Sequence, residues 1–519
     1  MKQKKLLSLL LAAVLLLVSC GGGGQESAPV EEAEEKEIVL GEFGEWWGLD
    51  TSQLDGSSST QRLVADPIVL IDDDGTLIPN MASEVEMSED GKTIRLHFPE
   101  GMKYADGRDL TPEDVVASLE RGKTSGPFGT DLQPIVKMEV KDRDVFLYLE
   151  EYTCNIANTL TSSFVTVMHK DDTLKTNDEL LWDCMPYGMY SLDEYVEGSH
   201  VVLKRNPHYI THNPRAENKG PGAFEKITVR FFKEEFSLIN AFNVGDIQYA
   251  SGLSIDSSAQ ATGDFILENS VMVPNIHYIE LNQSDPILSD INIRKAIGLI
   301  IDRADVVDAN KDAVIEAYSV VTENVLNYSE NFDNYYRETY ANDVEQAKQL
   351  LADAGWVDTD NDGFLDKDGQ KLTLQFLGAA QPTDERTAQA LQLQFKEVGI
   401  DLTLELIDPN YRYEKIERGE YQIGMEQFGT EDPVLLLSWL FTNPNNLKAQ
   451  DAYFDAVYST SHVLDYDKRT EGFEVAQRML VDECVIIPMY TVKAIVAWKG
   501  DLNVPTRLKS GILIWNDLR

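Results

Sequence analysis

Positive charge is the scarcest property of this sequence. Lysine and arginine together number 45 against 88 aspartates and glutamates, a net charge of −43 at pH 7. Such a surface repels phosphate, which excludes nucleic acid as a partner and keeps the body of the chain off anionic membranes. Cysteine is nearly absent too, with four residues in 519. No Cys-x-x-Cys occurs and the seven histidines are scattered, so no zinc site is suggested. Nothing resembles a Gly-x-Ser-x-Gly elbow, a His-Glu-x-x-His helix, a P-loop or a Gly-rich dinucleotide loop, which argues against an enzyme. Acid pairs of the kind glycosidases use are too common by chance, among 88 carboxylates, to carry weight. Long apolar runs are missing beyond the first twenty residues, so the body of the chain reads as soluble.

What is present begins at the N terminus. Lys2, Lys4 and Lys5 precede the apolar stretch Leu6 to Leu17, which closes on Leu17-Val18-Ser19-Cys20. A basic start, a short apolar core and a small residue before a cut describe an export signal. The cysteine after the cut resembles the lipobox of bacterial lipoproteins. That resemblance implies a signal peptide over 1–19, a diacylglycerol on Cys20, and a chain held by lipid on the extracytoplasmic face of the cell membrane. Losing three lysines with the leader takes the charge from −43 to −46. Gly21 to Gly24 and the acidic stretch as far as Glu37 lack apolar periodicity and read as a tether over 20–37. About 480 residues remain, enough for roughly two to four domains. Three cysteines remain as well, and an odd number allows one disulfide at most; Cys154–Cys184 is the first pairing to test.

Strand and helix patterns are mixed throughout. Thr93 to Phe98, Val201 to Leu203 and Ile227 to Phe232 read as strands. Thr111-Pro112-Glu113-Asp114 opens a helix with a cap, a first-turn proline and two acids that complement the helix dipole. Val344, Ala347, Leu350, Leu351 and Ala354 share a helical face that Gly355 ends. Thr387 to Val398 reads as a second amphipathic helix and Ile400 to Leu406 as the strand after it. The pattern is α/β or α+β, without internal repeats. One acidic loop stands out: Asp358, Asp360, Asp362 and Asp366 occupy positions 1, 3, 5 and 9 of an EF-hand-like loop with Gly363 at position 6. Position 12 is Gly369, and Lys371 to Phe376 reads as a strand where an EF-hand has a helix. A structural calcium site and a solvated Asp/Gly turn both remain open; no other cofactor is expected.

Several segments then match one family in chain order. Asp73 to Ala82, Ser88 to Thr93, Gly101 to Gly107 and Thr111 to Val115 resemble its "DG-x-L-x-P-x-L-A", "DGKT", "G-x-K-F-x-DG" and "T-x-E-D-V" stretches. Leu203 to Tyr209 is similar to "L-x-R-N-P-x-Y", Asp290 to Ile297 with Ile301-Asp302-Arg303 to "D-x-x-V-R-x-A-I … I-D-R", and Ala347 to Trp356 to "A-K-x-L-L-x-x-A-G-W". The chain thus resembles the family 5 extracellular solute-binding proteins, the oligopeptide, dipeptide and nickel receptors of ABC importers. The resemblance covers roughly residues 38–519. It implies a two-lobed, type II periplasmic-binding-protein-like α/β fold in three domains. The first lobe would comprise 38–72, 185–276 and 487–519, an inserted domain 73–184, and the second lobe 277–486, with hinge crossings near Pro274 and Ile487. It implies a monomer that binds a peptide or small molecule, without bond chemistry, and passes it to a permease and its ATPase. An oligopeptide is the first expectation; a metal chelate, another solute or a signal peptide are the alternatives.

The resemblance also places a ligand site. Trp46 and Trp47 stand where the family has "L-D-P" after its first strand, and strand alternation sends one of the two into the core. Tyr187 and Tyr190 lie in a stretch similar to "G-T-G-P-Y". Phe428 to Pro433 resembles "W-x-x-D-Y-x-D-P". Peptide-binding relatives grip the ligand ammonium with an Asp four residues before that proline, where this chain has Gly429. Glu426, Glu431 or Asp432 would then supply the charge, or the ligand lacks a free amino terminus. Arg294 and Arg303 are expected to make ion pairs instead of touching ligand.

Overall fold

Two sheets with parallel centres organise the chain, and their strands come from interleaved stretches of sequence. The structure, a computed structural model, describes residues 36–519 apart from 55–57, 73, 163–164, 264, 271–274, 431, 444–445, 447–449, 501 and 509–512. The leader, Cys20, most of the tether, Pro274 and Glu431 lie outside the described residues. No helix among the described residues is long and apolar enough to cross a membrane.

The first sheet has seven strands in the order Phe265–Ser270, Ala494–Lys499, Tyr249–Leu253, Glu37–Phe43, Lys226–Phe232, His200–Arg205 and Tyr190–Val196. Glu37–Phe43 runs parallel to both Lys226–Phe232 and Tyr249–Leu253, and the outer strands are antiparallel. The second sheet has six: Val314–Glu316, Ile486–Val492, Asn275–Leu281, Ile423–Gly429, Thr373–Ala379 and Asp401–Ile407. Thr373–Ala379 is parallel to both Asp401–Ile407 and Ile423–Gly429. The chain changes sheets between Ser270 and Asn275, and again at Lys493. The second crossing therefore falls about six residues later than Ile487, because Ile486–Val492 pairs along Asn275–Leu281 before leaving. Residues 73–184 contribute a four-stranded antiparallel sheet, Glu84–Met87, Thr93–His97, Asp144–Leu149 and Ile135–Lys141, with the helix Pro112–Ser125 against it.

Alternation explains the cores. Ile38 and Leu40, Val201 and Leu203, and Ile227 and Val229 face inward together and share one core with Ile94, Leu96, Val145 and Leu147 of the small sheet. The second sheet buries Ile279, Leu374, Phe376 and Met425 against Ile293, Ile297, Leu391 and Phe395 of its helices. A third core joins Tyr152 and Cys154 to Tyr278, Val434 and Phe473. Each fully buried aliphatic side chain contributes about 1.5–3 kcal/mol.

Local sequence signals hold in detail. The Asp114 carboxylate accepts from the Thr111 N–H at 2.8 Å, closing the first turn of Pro112–Ser125. Val344–Asp353 ends at Gly355, whose φ of +88° is open to glycine and strained for other residues. The helix expected from Thr387 starts five residues earlier, at Pro382, and runs to Glu397, since proline is well suited to the first helical position. One pairing left open is not made, and one expectation fails. Cys154, Cys184 and Cys484 carry free thiols: Cys154 sits in the third core and Cys184 packs on the first. Arg303 makes no ion pair among the described contacts. Its buried guanidinium donates to the carbonyls of Ala317 and Pro488 and lies 4.7 Å from the centre of the Tyr318 ring. Arg294 does meet Glu483, at 3.3 Å, alongside three carbonyls.

Candidate ligand cleft

In open α/β sheets ligands bind outside the carboxyl ends of the parallel strands. Register brings those ends of both sheets to the chain crossings. Leu253, closing its strand in the first sheet, pairs with Ile495, two residues past Lys493. Gly429, closing its strand in the second, pairs with Asn275. Large aromatic side chains are exposed at these ends. Phe43 ends its strand and Trp47 follows, 60% exposed. Phe236 stands in the first turn of Glu235–Val244, after the strand Lys226–Phe232. On the second sheet Tyr411 and Tyr413 follow Asp401–Ile407, and Trp439, 61% exposed, caps the helix Pro433–Ser438 and stacks on Phe428 with centroids 5.8 Å apart. Stacked and exposed rings give contact area that tolerates varied ligands.

Trp46 is the inward partner of Trp47. It is 1% exposed, and its indole N–H donates to Thr60 Oγ1 at 2.8 Å. Gly48 lets the chain turn there, because a Cβ would lie 2.9 Å from the Leu181 carbonyl oxygen. Tyr187 and Tyr190 belong to the core, not to the cleft. Both are buried and donate their hydroxyls to the carbonyls of Ile210 and Phe224, at 2.7 and 3.1 Å, which leaves nothing for a ligand.

The acids separate by burial. Glu426 is buried on the second sheet, 3.5 Å from Arg412, and burial pushes its carboxyl up to about 7 despite that cation. Glu280, on the same face one strand over, accepts from Tyr421 Oη and Asn446 Nδ2 at 2.8 Å each; burial raises it to about 8. Glu426 is thus enclosed with Arg412, and Glu431 lies outside the described residues. Asp432 caps Pro433–Ser438, its Oδ1 accepting from the N–H groups of Val434 and Leu435 at 2.8 and 3.2 Å. Its charge also reaches Asp131, whose carboxyl is pushed up to about 6 by burial first and then by Asp432, with Asn155 hydrogen-bonded to it. Sequence reasoning missed Asp131 because it lies some 300 residues from Asp432. The exposed aromatics were findable from their position directly after apolar strands.

The acidic loop folds as a turn. Asp358 accepts from the N–H groups of Asn361 and Gly363, Asp360 from Asp362, Asp362 from Phe364, and Asp366 from Thr359. Asp358, Asp360 and Asp366 bring carboxylate oxygens within 4.8 Å of one another; Asp362 is not in that group. The short hairpin Asp366–Lys367/Gln370–Lys371 follows, with no helix and no acid at Gly369.

Comparison with known proteins accords with this geometry. The family described as bacterial extracellular solute-binding proteins, family 5 middle, matches residues 76–448. The oligopeptide-binding protein AppA of Bacillus subtilis (strain 168) is 23% identical over 387 residues, 72% of this chain and 69% of AppA. Among solved structures, NikA from Brucella suis in complex with Fe(III)-EDTA superposes with a TM-score of 0.79 at 20% identity, covering 93% of this chain and 99% of NikA. AppA from Bacillus subtilis in complex with a nonapeptide superposes with a TM-score of 0.67 at 18% identity, covering 93% and 99%. The fold is that of the type II periplasmic binding proteins, and the relatives are substrate-binding proteins, not enzymes. This chain belongs to the family 5 bacterial extracellular solute-binding proteins.

Proposed function

We propose that the protein is a lipid-anchored receptor on the extracytoplasmic face of the membrane, which captures an oligopeptide by closing two lobes and hands it to the permease of an ABC importer. The lobes are 38–72, 185–276 and 493–519 on one side and 277–492 on the other, with 73–184 inserted in the first. The observation that carries the reading is the set of exposed aromatics, Phe43, Trp47, Phe236, Tyr411, Tyr413 and Trp439, at the carboxyl ends of both sheets. Closure is supported by Asp256 of the first lobe, which pairs with Lys311 at 2.7 Å and with Arg386, both from the second. Asp131 and Asp432 replace the carboxylate missing at Gly429 and hold the peptide ammonium. Gly429 itself favours a second reading, a ligand without an ammonium such as a metal chelate, the class carried by NikA in its solved complex.

A thermal-unfolding screen separates the two readings. A peptide at about 100 times its dissociation constant should add about 2.7 kcal/mol of stability. Trp47→Ala should weaken that peptide by roughly 30-fold, the loss of about 2 kcal/mol of aromatic contact. A shift with chelates and with no peptide would sink the peptide reading; full affinity in Trp47→Ala would misplace the cleft.

The anchor has its own test. Cys20→Ser should move the protein from the detergent phase to the aqueous phase in a phase-partition experiment. Wild-type protein found in the aqueous phase would refute lipidation.

A further inference from the structure

A cavity lies along the outer edge strand of the second sheet. It encloses about 190 Å³ between the edge strand Val314–Glu316, the segment that follows it and the helix Glu330–Thr339. That is room for several waters or for a small ligand. Two acid–tyrosine pairs face it. Tyr318 donates its hydroxyl to Glu316 Oε2 at 2.6 Å, and Tyr328 donates to Asp333 Oδ2 at 3.2 Å. Glu323 adds a third carboxylate. Arg337 is the one cation among the described residues of the lining, stacked 3.5 Å from the centre of the Tyr318 ring. The lining thus holds three acids and one guanidinium, and a second guanidinium, Arg303, lies 4.7 Å from the Tyr318 ring centre.

Hydrogen-bonding capacity is also left over. The Thr322 hydroxyl has no partner although the residue is only 7% exposed, and Asp333 Oδ1 is likewise buried and unpartnered. Each such group costs about 1–3 kcal/mol unless something meets it. Burial raises the Asp333 carboxyl above its ordinary range, although the Arg337 and Arg303 charges act in the other direction. Among the described residues these acids do not gather their oxygens closely enough for a metal ion. The acids, the spare acceptors and the Tyr328 ring suit an alkylammonium, which donates hydrogen bonds and lies against aromatic faces.

We propose that this cavity is a binding site for a short aliphatic diamine, separate from the cleft. One ammonium is held by Asp333 Oδ1 and Thr322 Oγ1, and the other lies near Glu316 and Glu323.

Isothermal titration of the full-length protein with 1,4-diaminobutane tests it. One saturable site per chain is expected, with no binding of the uncharged 1,4-butanediol. Asp333→Asn and Thr322→Val should each weaken the diamine at least tenfold, while Trp47→Ala leaves it unchanged. Glu316→Gln stands in for either variant that loses its cooperative melt. Absence of a saturable heat, or undiminished affinity in either variant, overturns the proposal and leaves the cavity to water. Loss of binding in Trp47→Ala overturns it too, by moving the diamine to the cleft.

Discussion

A peptide with a free amino terminus should bind at least about 100-fold more tightly than its N-acetylated form. Burial raises the Asp131 carboxyl to about 6, and the Asp432 charge adds to the rise. An ammonium held by both offsets that rise. Breaking a buried charge pair costs about 3–5 kcal/mol, and each 1.4 kcal/mol is tenfold in affinity. Asp131→Asn should close most of the gap by weakening the free peptide and leaving the acetylated one nearly unchanged. Affinity for the free peptide should also fall as pH drops through about 6, when Asp131 takes up its proton. Equal binding of the two peptides by calorimetry would show that no ammonium is held, and would transfer the weight to the chelate reading that Gly429 favours.

Thermal stability should decline as pH rises from about 6 to 8.5. Glu280 is raised to about 8, and Glu426 and Asp66 to about 7, each chiefly by burial. Between the ordinary carboxylate range and these values the folded chain keeps protons that the unfolded chain has lost. Stability therefore falls with rising pH through that window. His277 acts in the other direction and at lower pH. Burial depresses it to about 3, so the folded state excludes a proton that the unfolded state binds below about 6.5, and stability is lost as pH falls from there. Three carboxyls outweigh one histidine, so the optimum should lie below about pH 5. A tenfold difference in proton affinity between the folded and unfolded chain corresponds to about 1.4 kcal/mol, so the melting midpoint should drop on the order of 5 °C across the alkaline limb. Glu280→Gln should flatten that limb. A midpoint that holds or rises between pH 6 and 8.5 would show that these carboxyls are ionised in the fold.

Elements with strong local signals were legible in the sequence. The strand at Thr93, the helix cap at Thr111 and the stop at Gly355 each depend on a few neighbouring residues, and each stands where the pattern put it. One tryptophan of the pair Trp46 and Trp47 was expected inside, but both lie past the strand Glu37–Phe43, so packing and not strand alternation decides which is buried. Tyr187 and Tyr190 misled. A tyrosine near a glycine turn reads the same whether its hydroxyl meets a ligand or a distant carbonyl, and here the acceptors, Ile210 and Phe224, lie 23 and 34 residues away. Counting alone offers Cys154 and Cys184 as a pair, and separate cores keep them apart.

By itself the sequence determined the acidic balance, the mixed α/β character and the family. These follow from composition and from contacts between residues near in the chain. The tertiary structure alone decided which acids are enclosed and which face solvent or one another. Glu426 became a buried partner of Arg412, Asp131 came within reach of the Asp432 charge, and Glu316 came to share a cavity with Asp333. A carboxylate's role depends on its burial and on the charges around it, and both are contributed by segments tens to hundreds of residues away.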